Sequence, residues 1–377
     1  MARVLLLSEQ EARTLLFCAA SAGHEVFVAG RGERNPSLRH HRMCREFVAL
    51  ENDLDFENAS EDLAEEIATA ARQFNVDVIV PTSYDCVRIA SRFRARLEKE
   101  AALIPTADLE TIAMLDDKHR FHQFCLEHDI SHPRSVLMTR AEGAAELVAK
   151  AGVPYPIMVK PVLGAGGSGL AVVEDAAALE RHLESLTGER AGDLPALAQE
   201  YFDGTDIDFN GFAREGRIVV SSVMRTSFYA GVGLEEGDKV DLTDFVDHEG
   251  VEELGRRIVA SSDYSGPLNI DMRIRDSNGR IELIEVNPRW WARTVCSLIE
   301  GVNYVDAAIR STLEADYEAR SRVGRQQWIS SFVPVIKGAL FGRDPDCWRT
   351  LSNTSPVQLR FMAQDRANAA WATLRNR

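Results

Sequence analysis

Residues 281–289 read IELIEVNPR, and residues 268–280 before them read LNIDMRIRDSNGR. Together they have the grammar of a β-hairpin. Ile270, Met272 and Ile274 alternate with Asn269, Asp271 and Arg273, so one face of the first strand is apolar and the other polar. Asp276–Gly279, DSNG, is a turn signal. The returning strand puts Leu283, Glu285 and Asn287 on one face, and pairing about the turn sets Asp271 opposite Glu285 to within one residue. Two carboxylates and an amide oxygen then converge on one sheet surface. A hard, all-oxygen set of this kind suits Mg²⁺ bound jointly with phosphate oxygens. For Glu285 alone an exposed hairpin with ordinary polar residues is an equal reading; the triple with Pro288-Arg289 behind it favours the metal.

Two other segments carry chemistry. In Met158–Gly169, MVKPVLGAGGSG, a strand ends at Lys160 and glycines follow at 164, 166, 167 and 169. Such a loop brings backbone N–H groups close to anionic oxygens, with a lysine as point charge. It lacks the GK[ST] of a P-loop, and LAVVED continues as a strand where a dinucleotide fingerprint needs a helix. A glycine hairpin between two strands reads as a flap over a nucleotide or as a flexible turn. In Leu197–Ala213 a strand ends in Gln199-Glu200-Tyr201-Phe202, which offers backbone groups and an apolar surface for adenine, and Asp206 follows at a distance suited to ribose hydroxyls.

The bulk properties narrow the class. The chain has 377 residues, 45% hydrophobic and 27% charged, enough for two or three packed units. A net charge of −15 speaks against a general nucleic-acid binder. No apolar run is long enough for a membrane span, and MARVLLLSEQEA turns charged too soon for a signal peptide. Six scattered cysteines without CxxC spacing argue against a zinc site or disulfide framework and fit a reducing cytoplasm.

Residues 1–105 read as a small α/β unit. RVLLLS is a buried parallel strand, a helix runs to Ala22 and stops at Gly23, EVFVAG is a second strand, a helix covers 60–73, and VDVIVP is another strand. Tyr84 and Asp85 follow at its carboxyl end, where open α/β sheets place ligands. Residues 31–46 read as a basic, solvated loop and helix, with His40 and His41 in water. One helix is expected over 108–129. Residues 106–196 and 197–325 then alternate strands, helices and hairpins, an α+β pattern. In 326–377 WISSFVPVI reads as a strand and QLRFMAQDRANAAWATLR as a helix.

In this order, Asp117-Lys118, Met158-Val159-Lys160-Pro161, the glycine loop, Gln199-Glu200-Tyr201-Phe202, Asp271 and Glu285-Val286-Asn287-Pro288-Arg289 resemble the ATP-grasp superfamily. The version most similar is that of carbamoyl phosphate synthetase, biotin carboxylase and their stand-alone amino-acid ligase relatives. The resemblance covers roughly residues 1–320. It implies an N-terminal Rossmann-like pre-ATP-grasp domain (1–105), a linker helix and lid subdomain (106–196), a larger subdomain with the metal site (197–325) and a C-terminal extension (326–377). It further implies ATP as cofactor with two Mg²⁺ ions, Mn²⁺ being an acceptable substitute.

Carried over position by position, Lys118 and Lys160 resemble the phosphate-contacting bases, and Gly164, Gly166, Gly167, Ser168 and Gly169 the lid loop. Glu200, Tyr201 and Phe202 match the adenine hinge, and Asp206 the ribose acid. Asp271, Glu285 and Asn287 fall on metal-ligand positions, and Arg289 on the arginine that steadies the transferred phosphoryl group. Two departures stand out: Asp271 where a longer side chain is common, and Trp290-Trp291-Ala292-Arg293 in place of small residues. No biotin-acceptor motif or glutaminase-like segment occurs.

The expected activity is ATP-dependent carboxylate–amine ligation through an acyl phosphate, with release of ADP and phosphate. The substrates would be an amine and a small carboxylic or amino acid, with no nucleic acid or membrane partner and room for a homodimer. A bicarbonate-activating carboxylase or carbamoyl-phosphate-type enzyme is the alternative, and a non-catalytic nucleotide-binding protein the alternative from another class. Arg293 and Arg225 are candidate clamps for a substrate carboxylate. Trp290 and Trp291 read either as pocket wall or as core.

Overall fold

The computed structural model describes residues 1–9, 12–31, 36–163, 169–185, 194–229, 240–319, 327–329, 335–336, 340, 345–352 and 354–375. The chain forms two compact units, neither of them a single linear segment: residues 1–109, 208–269 and 288–377 make one, and residues 110–207 and 270–287 the other.

The first unit begins with a parallel sheet of β1 (Arg3–Leu7), β2 (Glu25–Gly30), β3 (Cys44–Ala49), β4 (Val78–Pro81) and β5 (Ala102–Leu103), in the order β3-β2-β1-β4-β5. Because helices cover both faces, each central strand carries a continuous apolar run, which in β1 and β2 follows a charged first residue, Arg3 or Glu25. Val4 and Leu6 pack with Leu15 and Leu16 of the helix Ala12–Ser21, while Leu5 and Leu7 pack with Leu63 and Ile67 of the helix Glu61–Gln73. Each such leucine, fully buried, contributes about 1.5–3 kcal/mol. Ser60 caps the second helix by accepting from the Leu63 amide, with Glu61 and Asp62 in its first turn.

The third strand corrects the expectation of a solvated loop and helix over 31–46. Among the described residues of this segment only Pro36–Arg39 is helical, and Cys44–Ala49 pairs in parallel with β2. It lies at the sheet edge, so Arg45 and Glu46 point to solvent and no continuous apolar run marks it. His41 is also not in water. It is 5% exposed, and its Nδ1 accepts from the Met43 amide.

In the second unit the expected helix over 108–129 is two helices, Leu109–Asp116 and Lys118–Glu127. Asp117 breaks them with an extended backbone, and its carboxylate caps the second by accepting from the His119 and Arg120 amides. Four antiparallel strands follow, β6 (Ser135–Met138), β7 (Ile157–Pro161), β8 (Ala171–Val173) and β9 (Ala196–Glu200), in the order β6-β9-β7-β8. Ile157 and Val159 enter a core with Val148, Leu179, Leu183 and Ala198. Met158 and Lys160 therefore face the other way. Met158 pairs with Gln199, so Lys160 and Gln199 are diagonal neighbours on that face.

The remaining strands are β10 (Gly204–Arg214), β11 (Arg217–Tyr229), β12 (Val240–Val246), β13 (Gly266–Arg275), β14 (Ile281–Asn287) and β15 (Gln327–Ile329). β10 and β13 each begin in one unit and end in the other. In the first unit β10, β11, β12 and β15 pair in succession, all antiparallel. In the second, the β13–β14 hairpin closes on Asp276–Gly279, where the Gly279 amide donates to the Arg275 carbonyl and Gly279 has φ +70°. Gly204 is obligatory: a Cβ there would sit 2.4 Å from the Ile274 carbonyl oxygen.

The C-terminal segment belongs to the first unit. Of WISSFVPVI, Trp328 and Ile329 lie in the strand Gln327–Ile329, residues 330–334 lie outside the described set and Val335 and Ile336 are helical rather than strand; the helix Pro356–Arg375 follows. The buried Gln358 accepts from the Ile329 amide and donates to its carbonyl, satisfying the end of β15. Phe361 packs edge-on to Phe17.

Candidate active site

Asp271 lies on β13 and Asn287 ends β14, and the Asn287 amide donates from Nδ2 to Oδ2 of Asp271 at 3.4 Å. Glu285 shares its face with Asn287 by alternation. The Glu285 side chain is 31% exposed, and Nζ of Lys118 lies 3.8 Å from its Oε2. Lys118 is set there by the break at Asp117: it is the first residue of the capped helix, and its amide donates to the Val162 carbonyl.

Lys160 is the second cation, 4% exposed. Its Nζ donates to Oε1 of Gln199 at 2.7 Å and to the Ile284 carbonyl at 3.5 Å. Burial pulls its ammonium down to about 8; Glu285 and Asp271 act against that shift, and Lys118 reinforces it. A lysine so placed is still largely charged near neutrality, with few solvent contacts to give up when an anion arrives.

Two arginines hold the acids expected to meet the nucleoside. Arg275 bridges Glu200 and Glu282, each at 2.8 Å, with its guanidinium 3.8 Å from the Phe202 ring centroid. Arg273 pairs with Asp206 at 2.6 Å and donates to the Phe202 carbonyl at 3.3 Å. The amides of Glu200 and Tyr201 are taken by the Arg134 and Pro156 carbonyls. Sequence reasoning missed both arginines, because on an alternating strand they read as ordinary solvated residues. It also missed His122 and His132, which lie behind Gln199. In the glycine loop Gly164, Gly166, Gly167 and Ser168 fall outside the described residues, and Gly169 has φ +75°.

The residues after the hairpin lie in the first unit. Trp290 is fully buried and its Nε1 donates to the Pro81 carbonyl; its ring lies parallel to Phe212 at 6.2 Å. Trp291, 6% exposed, meets Tyr304 edge-on at 5.0 Å. Both tryptophans pack in the core, the second of the two readings given for them. Arg289 donates to the Trp290 carbonyl at 3.2 Å. Arg225 pairs with Asp244 at 3.7 Å across β11 and β12. Arg293 precedes a 3₁₀ helix, Thr294–Glu300. Asp85 sits in the first turn of the helix Tyr84–Arg92, where burial raises its carboxyl.

Among the described residues no three His, Cys, Asp or Glu side chains gather as a group that could hold a metal ion by themselves. Asp271, Glu285 and Asn287 offer two carboxylates and an amide, hard donors too few to close a shell, so phosphate oxygens and water would complete it. That is what Mg²⁺ requires, since it keeps part of its shell for substrate phosphate. The donor set fits the ion.

A model of the ATP-grasp domain family matches residues 115–293. The chain is 27% identical over 327 residues to the carbamoyl phosphate synthase large chain of Halobacterium salinarum, a match covering 82% of this chain and 30% of that protein's length. In fold it resembles the biotin carboxylase of Campylobacter jejuni, solved as a beta-gamma-ATP complex, at TM-score 0.65 and 16% identity over 87% of this chain and 74% of that one. It also resembles an L-amino acid ligase from Bacillus licheniformis, at TM-score 0.60 and 16% identity over 83% and 74%. The parallel N-terminal sheet and the antiparallel sheets after it are the α/β and α+β parts of that fold. The segment matched by the ATP-grasp domain model, residues 115–293, holds Lys118, Lys160 and the β13–β14 hairpin.

Proposed function

We propose that the chain is an ATP-dependent carboxylate–amine ligase that works through an acyl phosphate. The observation that carries this reading is the hairpin with its two lysines. Asp271 and Asn287 meet at 3.4 Å, Glu285 faces Lys118 at 3.8 Å, and Lys160 is buried beside them under the opposing influence of both carboxylates. Cations and carboxylates that partly neutralise one another are ready to receive a metal–triphosphate complex, whose charges are complementary to both sets.

Asp271, Glu285 and Asn287 would hold Mg²⁺, which when bound neutralises triphosphate charge and polarises the γ-phosphoryl group. Lys118 and Lys160 take phosphate oxygens. Glu200, Tyr201 and Phe202 line the adenine, with Glu200 kept in place by Arg275, and Asp206 accepts from the ribose. Arg289 steadies the transferred phosphoryl group, and Arg293 holds the substrate carboxylate. The residues 164–169 close over the phosphates and exclude water. A carboxylate has no adequate leaving group; once phosphorylated it has one, and an amine attacks the acyl carbon with loss of phosphate.

A second reading is bicarbonate activation. It is favoured by the likeness to a carbamoyl phosphate synthase large chain, although this chain spans 30% of that relative's length. ADP release measured over a matrix of carboxylates and amines, with mass spectrometry of products, separates the two. Release that needs both an acid and an amine, with a new amide mass, supports ligation. Release driven by bicarbonate without an amine overturns it in favour of the second reading.

A further inference from the structure

Behind the Lys160–Gln199 pair lies a chain of polar groups held by hydrogen bonds that involve neither the hairpin carboxylates nor Lys118. Nε2 of Gln199 is 3.1 Å from Oγ of Ser135 and 3.4 Å from Nε2 of His132. Nδ1 of His132 is 2.8 Å from the Pro133 carbonyl oxygen and 3.0 Å from Nδ1 of His122. Both rings are buried or half-buried, and they pack against each other at 4.7 Å.

The protons in this chain can be placed from chemistry alone. An ammonium only donates, so the Gln199 atom facing Lys160 is the carbonyl oxygen, and the NH₂ end faces Ser135 and His132. A carbonyl oxygen only accepts, so the His132 nitrogen facing Pro133 carries the proton, which leaves a lone pair on Nε2. That lone pair is what the Gln199 NH₂ meets. The proton on Nδ1 of His132 is shared with His122, whose Nδ1 accepts and whose own proton sits on Nε2. The two ends of the chain thus fix the same arrangement independently.

We infer that His132, backed by His122, is a positioning residue that keeps the Gln199 carbonyl oxygen turned to Lys160 and so aims the ammonium at the nucleotide phosphates. A proton on Nε2 of His132 would oppose the amide NH₂; turning the amide over would set that NH₂ against the ammonium. The ring therefore works only when neutral. Burial, with Lys160 and His122 acting in the same sense, lowers His132 to about 3, and burial lowers His122 too, with His119 and Lys160 reinforcing the shift. Glu285 and Asp271 act on the lysine in the opposite sense, favouring its charge. The arrangement is a fixed orientation rather than a switch within the ordinary pH range.

The inference rests on the Mg-ATP reading, and one set of binding measurements tests both. Mg²⁺ with a non-hydrolysable ATP analogue, and adenosine alone, are titrated calorimetrically into wild type, Lys160→Met, His132→Phe and His132→Gln. Wild type binds the analogue, and Lys160→Met binds it at least about tenfold more weakly, as expected for losing a charged hydrogen-bond donor. His132→Phe, which keeps a ring but no acceptor, is also about tenfold weaker toward the analogue and unchanged toward adenosine. His132→Gln, whose carbonyl can accept from Gln199, stays within about threefold of wild type. A Lys160→Met variant that binds like wild type removes the nucleotide reading and the inference with it. A normal Lys160→Met loss beside a His132→Phe variant that binds like wild type, or that loses adenosine equally, overturns the inference alone. Should His132→Phe not fold, nitrogen-15 NMR of the wild-type histidines decides: a neutral His132 with its proton on Nδ1 supports the account, and a proton on Nε2 overturns it.

Discussion

Nζ of Lys118 lies 3.8 Å from Oε2 of Glu285, at the first residue of a helix capped by Asp117. The pair joins a cation assigned to phosphate with a carboxylate assigned to metal. Lys118→Gln should raise the KM for ATP about tenfold and leave kcat for bound substrates less affected, since it removes ground-state charge pairing. Steady-state kinetics at saturating acid and amine reads the split. An unchanged KM would remove Lys118 from the phosphate site.

Arg275 ties Glu200 to Glu282, both at 2.8 Å and both little exposed. Arg275→Met would leave two carboxylates without their shared partner, and destabilisation of about 2–4 kcal/mol is expected. Arg275→Lys should recover only part of it, because one ammonium cannot span both acids as a guanidinium does. Chemical denaturation of the three proteins reads the order. Full recovery by lysine would mean that charge alone matters here.

Trp290 packs beside Phe212 with its Nε1 on the Pro81 carbonyl. As a core residue it should show its effect in stability rather than specificity. Trp290→Phe is expected to cost about 1–3 kcal/mol from lost volume and a freed carbonyl, with the KM values for acid and amine unchanged. A shifted substrate KM in a protein of unaltered stability would return this tryptophan to the pocket.

Burial lowers His41 to about 4 and His132 to about 3. In both, the folded state holds the neutral form, so the unfolded chain takes up protons first as pH falls below about 6.5. Their contribution to stability is complete above that value and is lost as pH falls from 6.5 towards 4 and 3. Replacing His41 with Asn and His132 with Gln should therefore flatten the fall of Tm between pH 6.5 and 4 relative to wild type. A parallel fall in wild type and variant would mean that the rings titrate alike in both states.

Much of this architecture was legible because strong local signals coincide with it. The buried runs RVLLL and VIVP suit central parallel strands, Gly23 (φ +90°) ended the first helix, and DSNG turned the hairpin. What escaped did so for physical reasons. Cys44–Ala49 is an edge strand whose exposed face needs no apolar pattern. Asp117 split a helix because its side chain competes for backbone amides, an effect invisible to periodicity. Arg273 and Arg275 became visible only when β13 brought them to Asp206 and Glu200, acids 67 and 75 residues away. The histidines behind Gln199 carry no motif at all; only the pairing of β6 with β9 and the position of the Lys118–Glu127 helix bring them together.

The double variant Glu285→Gln with Asn287→Ala tests the assignment of the hairpin as the Mg-ATP site. ADP release in the presence of the matched acid and amine is measured beside circular dichroism and Tm. The account predicts a fold like wild type and a rate lower by at least about 10²–10³-fold. A folded double variant that turns over ATP at the wild-type rate would contradict it.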